Sequence, residues 1–101
     1  MNERGKERPE RALRWGVIGL SVTQPESVAV VNNLLSQFAE HLRGRLGVPC
    51  RSEVPARNFI AILFEGSTDT LGALSGKLGK IPGVEVKSLL FKESTSQWVE
   101  P

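Results

Sequence analysis

The side chains that could do chemistry in this chain are few, and their spacing narrows what that chemistry can be. Arg43 and Arg45 stand two residues apart. On a strand that spacing puts both guanidinium groups on one side, where they would hold a carboxylate or a phosphate; charges on an edge strand equally guard it from pairing with another chain. Ser67 and Thr68 open a helical pattern, where free backbone N–H groups and the helix dipole attract an anion and where ordinary capping uses the same residue types. His41 and Cys50 are the only imidazole and the only thiol. A Cys/His zinc site needs four ligands and divalent nickel favours several imidazoles, so no metal site is expected. Cys50, being alone, closes no internal disulfide. Acid–base and nucleophilic catalysis need groups within hydrogen-bond reach of one another. No spacing here implies such a pair, since adjacent residues such as Glu40 and His41 point apart on a strand. The sequence reads as that of a non-enzyme, and it names no cofactor.

The elements that must position these groups are bounded by composition. A chain of 101 residues that is 40% hydrophobic and 24% charged makes one globular domain. The longest apolar run, Phe59 to Phe64, is far short of the roughly 20 residues of a membrane-spanning helix. Met1 to Arg11 is charged throughout and lacks the apolar stretch of a secretory signal. A cytoplasmic protein without membrane contact is expected. The formal net charge is +2, and residues 1–14 carry all of it, with five basic against three acidic side chains. A nucleic-acid reader is expected to carry its basic face on the folded part. Nucleic acid is therefore a disfavoured partner.

Residues 1–12 and 93–101 read as tails, the first because it lacks apolar periodicity; Trp98 and Val99 in the second could dock on the domain or on a neighbour. Residues 13–92 hold the fold. Trp15 to Val22 reads as a strand, and Thr23 with Glu26 as a capping box that opens a helix. That helix carries Val28, Val31, Leu34, Leu35 and Phe38 on one face and ends near Ala39. His41 to Val48 alternates as an edge strand, and Asn58 to Glu65 is the strongest strand signal. A second helix with the stripe Leu71, Leu74, Leu78 and Ile81 stops at Pro82 and Gly83, before a last strand from Val84 to Phe91. The order strand, helix, strand, strand, helix, strand is the βαββαβ unit of ferredoxin-like α+β domains. It implies a four-stranded antiparallel sheet with two helices on one face.

The other face should then be polar if the molecule works alone, and the pattern denies this. Phe59, Ala61 and Leu63 point away from Ile60, Ile62 and Phe64; Trp15 and Val17 oppose Ile18 and Leu20; Leu89 and Phe91 oppose Leu90. Large contiguous apolar patches mark interfaces. The chain is expected to form a homo-oligomer, a dimer or tetramer, through this sheet face. Gly72, Gly76 and Gly79 cluster on the second helix about 150° from its leucine stripe. A neighbouring subunit or ligand approaching that backbone would explain them; so would a tolerated weak helix.

At Gly44 to Pro49, GRLGVP, and at Gly66 to Ser88, GSTDTLGALSGKLGKIPGVEVKS, the chain resembles the family of iron-only hydrogenase system regulators. These are small ACT-like proteins, similar in fold to the regulatory domain of the nickel-responsive repressor. The resemblance covers roughly Leu13 to Lys92. It implies a bacterial regulator of ACT-like fold that senses a small-molecule effector at subunit boundaries; without a DNA-reading domain, such a regulator would act through a protein partner or after binding a metabolite. The positions it points to are the turn after the first strand, Ser21, Thr23 and Gln24, and the second helix with Ser67, Thr68, Gly72 and Gly76, with Arg45 as a further anion contact.

The same topology serves RNA-recognition motifs, and Arg57, Phe59 and Phe64 partly echo their third strand. Ala61 stands where a second stacking aromatic would be wanted. A single-strand binding module is the alternative reading. The phosphate-cradling loop of acylphosphatases is not recognisable between Gly19 and Pro25. The dozen residues before the first strand are too few for a DNA-reading domain.

Overall fold

The structure is a computed structural model and describes residues 13–92; both expected tails lie outside the described residues. The elements are β1 (Arg14–Val22), α1 (Ser27–Gln37), a 3-10 turn (Ala39–His41), β2 (Leu42–Cys50), β3 (Arg57–Gly66), α2 (Thr68–Gly79) and β4 (Val84–Leu90). The strands form one sheet in the order β2-β3-β1-β4, every neighbouring pair antiparallel. This is the ferredoxin-like α+β arrangement that the element order implies.

Alternation builds the core. Ile18, Leu20 and Val22 from β1 and Ile60, Ile62 and Phe64 from β3 are buried with Val31 and Leu35 of α1 and Leu71, Leu74 and Leu78 of α2. Both helices thus cover one face of the central strands. Gly16 lets β4 come close, since a Cβ there would lie 2.7 Å from Leu90 Cδ2. Gly83 takes φ 76°, a backbone conformation that L side chains adopt rarely, and turns the chain from α2 into β4. Ser67 caps α2 by accepting from the backbone N–H of Thr70 at 3.1 Å, which satisfies one of the helix's orphan donors.

Two local expectations fail for identifiable reasons. The capping box of Thr23 and Glu26 does not form: α1 begins at Ser27, with Glu26 as an N-cap that makes no side-chain cap bond. Thr23 is engaged elsewhere, its Oγ1 and its backbone N–H both donating to the Gly83 carbonyl at 3.2 and 2.9 Å. Val22 pairs with Val84 at the start of β4, so the sheet brings that carbonyl to Thr23. His41 belongs with Glu40 to the 3-10 turn rather than to the edge strand, so the two do not point apart: His41 Nε2 lies 3.5 Å from Glu40 Oε2, and the ring stacks 5.9 Å from that of Phe64.

Candidate functional site

The sheet face away from the helices is apolar and open. Following the pairing across the sheet, Leu46, Ala61, Gly19 and Lys87 form one row, and Val48, Phe59, Ser21 and Glu85 the next. On the other side of the first row lie Leu63, Val17 and Leu89. Side chains that share a face and sit opposite one another are in contact range. The middle row is low at its centre, where Gly19 and Ala61 lie, and Leu46, Val48, Phe59 and Leu63 stand up around it. Leu46 is 65% exposed, Leu89 52% and Phe59 40%, with Trp15, Val48, Leu63 and Phe91 in the same range.

The low row opens into a groove of about 420 Å³ bounded by Gly19, Leu46, Val48, Phe59 and Lys87, with Arg57 at its end. A second hollow of about 300 Å³ lies beside Val17, Gly44 and Leu63. Arg57 is the groove's most constrained polar group. Its Nη1 donates to Ser21 Oγ at 3.0 Å, and its guanidinium carbon lies 5.4 Å from the centre of the Phe59 ring, within cation–π range. Glu53 Oε1 is 3.0 Å from Nε, yet Nε is buried without a hydrogen-bond partner; the carboxylate is close but lies off the N–H direction. At the other end, Lys87 and Glu85 are 3.8 Å apart and largely exposed, a pair that water screens and that contributes little.

The residues singled out in the sequence fall in different places. Ser21 is in the groove. Thr23 is bound to Gly83, and Gln24 packs on the same turn, where a Cβ on Gly83 would lie 2.7 Å from Gln24 Cγ. Ser67 and Thr68 sit at the opposite end of the sheet, where Arg14 pairs with Gly66 and its Nη1 reaches Thr68 Oγ1 at 3.5 Å. Arg14 and Ser21 bracket most of β1, so these two groups are about 23 Å apart along the strand. Within one chain they make no common site.

Arg43 and Arg45 do not converge on one anion. A register break between Leu42 and Gly44 sets them apart. Arg43 pairs with Glu65 Oε1 at 3.0 Å and the Glu40 carbonyl at 2.9 Å. Arg45 lies opposite buried Ile62 and donates to Asn32 Oδ1 of α1 at 2.6 Å, on the helix side. Gly72, Gly76 and Gly79 line an open face of α2: a Cβ at any of them would meet nothing within 4 Å. Phe64, part of the echo of RNA-binding strands, is fully buried. Only Phe59 and Arg57 of that trio reach the open face.

Of the expected interface set, Trp15, Val17, Phe59, Ala61, Leu63 and Leu89 share the open face by alternation, and Phe91, just past β4, is exposed and donates its backbone N–H to the Trp15 carbonyl at 2.9 Å. Sequence reasoning missed Arg57 and Lys87 as groove residues, and Leu46 and Val48 as its wall. A usable signal existed for Arg57, which shares its parity with Phe59, Ala61 and Leu63 on β3. His41 and Cys50 lie just before and at the end of nine-residue β2, too far apart to share an ion. Among the described residues no group of three or more His, Cys, Asp or Glu is placed to hold a metal, and no helix is long and apolar enough to cross a membrane.

A family model described as "TM1266-like: Iron-only hydrogenase system regulator, putative" matches residues 14–88. Among solved structures, the uncharacterized protein TM1266 from Thermotoga maritima is 37% identical over 79% of this chain and 99% of that one, with a TM-score of 0.73. The C-terminal domain of the MgtC protein from Mycobacterium tuberculosis is similar in fold, at 18% identity over 85% of this chain and 96% of that one, with a TM-score of 0.61. No curated protein matches the chain.

Proposed function

The chain belongs to the TM1266-like family, and from that membership we propose a non-catalytic regulator of the iron-only hydrogenase system that self-associates through its open sheet face and senses a small molecule enclosed there. The observation that carries this reading is the apolar face itself. Seven large apolar side chains on it remain 40% exposed or more. Covering the exposed part of each is worth about 1 kcal/mol. For two copies that is on the order of 14 kcal/mol, against an association cost of about 4–15 kcal/mol. The balance favours assembly without a wide margin, so a concentration-dependent oligomer is expected.

Two sheets packed face to face lie about 10 Å apart, which brings a second copy over the low row at Gly19 and Ala61 and roofs the groove. A ligand held there would touch both copies and couple its own binding to assembly. The regulatory output then passes to a protein partner in the cytoplasm. The glycine face of α2 offers the second contact by which dimers would pair into a tetramer.

Sedimentation velocity from 1 to 100 μM tests the reading. A mass rising above 11.1 kDa with concentration supports it. A monomer throughout overturns it.

A further inference from the structure

We propose that the groove beside Arg57 binds a small monocarboxylate with an apolar body, and that Glu53 is the protein's own competitor for the guanidinium. The inference deepens the sensing role above and rests on it for its biological meaning, while the site itself lies within one chain.

The groove's dimensions come first. About 420 Å³ falls within the range of small-molecule pockets. Gly19 keeps the floor low: a Cβ there would meet nothing nearer than the Lys87 carbonyl at 3.8 Å. Val48, Leu46 and Phe59 wall it with carbon, so the body of a ligand must be apolar.

The polar end selects the headgroup. Ser21 Oγ and the Phe59 ring hold the Arg57 guanidinium from two directions, which fixes its plane. Its Nε lies buried without a hydrogen bond, and its Nη2 donates to nothing among the described residues. Guanidinium binds carboxylate through two parallel N–H bonds, and the edge made by Nε and Nη2 is the one left for them. An ammonium or an uncharged amide does not satisfy that edge equally.

Glu53 explains why this edge is not already filled. Its carboxylate comes within 3.0 Å of Nε but misaligned, and it is carried by the segment between β2 and β3, every residue of which from Arg51 to Ala56 is exposed. It neutralises Arg57 electrostatically without taking its hydrogen bonds. A ligand carboxylate arriving along the groove supplies the aligned bonds and displaces Glu53, an exchange that a partly exposed ion pair resists only weakly. The displacement moves a loop at the margin of the proposed interface, which links occupancy to assembly.

Calorimetric titration of the full-length protein with 4-methylpentanoate, 3-phenylpropanoate and 4-methylpentanamide, with the mass measured on the same samples, tests this. Saturable binding of a carboxylate is expected, about tenfold weaker or undetectable for the amide. Arg57→Gln should lose about tenfold in affinity, and Glu53→Gln should gain severalfold. Because Arg57→Gln removes a half-buried group, Ala61→Phe serves as a second variant, blocking the groove from its floor while Arg57 stays. No saturable binding of either acid, equal binding of acid and amide, or an affinity unmoved by Glu53→Gln overturns the proposal. An oligomer that ignores both acids sinks the site but leaves self-association standing. A monomer that binds them supports the site and sinks self-association.

Discussion

Phe59 and Phe64 sit on the same strand and face opposite ways: Phe64 is fully buried under the helices, while Phe59 stands 40% exposed on the open side of the sheet. The odd separation of the two residues requires this, because successive side chains on a strand alternate faces. The two phenylalanines therefore do different work, and substitutions at them should separate folding from assembly.

Phe64→Ala should destabilise the monomer by about 3–5 kcal/mol, because it leaves a cavity between sheet and helices. Phe59→Asp should change the unfolding free energy of a dilute sample by less than about 1 kcal/mol, yet reduce the mass to that of one chain. Urea unfolding and sedimentation velocity on both variants distinguish the two effects. Equal loss of stability from both would mean the open face is part of the folding core.

Ser67→Ala removes the side chain that accepts from the Thr70 N–H and should cost about 1 kcal/mol of stability. No change in the calorimetric response to 4-methylpentanoate or 3-phenylpropanoate should accompany it, because Ser67 lies at the far end of β1 from Arg57. A large loss of ligand response with unchanged stability would place the anion site at the start of α2 instead.

Gly76→Ala should stabilise the fold by up to about 1 kcal/mol, since alanine is the better helix former and a Cβ at that position meets nothing within 4 Å. Gly76→Leu separates the two explanations of the glycine face. If α2 joins dimers into a tetramer, Gly76→Leu leaves a dimer; a mass identical to that of the unaltered protein shows that the face is not a contact.

Gly16→Ala should destabilise, because the new methyl group would meet the Leu89 carbonyl oxygen at 2.5 Å and Leu90 at 2.7 Å. β4 would have to withdraw from β1. Faster amide hydrogen exchange in β4 than in β3 is the expected signature, and exchange unchanged across β4 would show that the strand adapts.

How much of this was legible in the sequence depended on how local the cause was. The stripe Leu71, Leu74, Leu78 and Ile81 and the alternation from Phe59 to Phe64 are set by helix and strand periods, and the structure buries the residues those periods select. The open apolar face followed from counting faces against helices. Thr23 was misread because its partner, Gly83, is distant along the chain and reaches it only when β4 docks. Arg43 and Arg45 were read as sharing one side of the edge strand, and they part because a register break leaves no mark in a strand interrupted by Gly44 and Gly47. Arg57 was read only as part of an RNA-binding echo, although its parity with Phe59 put it on the open face, because its hydrogen-bond partner Ser21 meets it only when β1 and β3 pair.

The break at Leu42/Gly44 has a reach beyond its own position. Had Arg43 been paired in the ladder, every later residue of β2 would have advanced by one step, laying the cationic Arg45 across from Ala61 and turning Leu46 inward toward Ile60. One unpaired residue therefore sets the phase of the whole outer strand and decides whether this side of the molecule is oily or charged. Loss of Arg43 should be absorbed by smoothing the ladder, whereas one residue added after Gly44 would invert the strand and abolish the surface on which assembly depends.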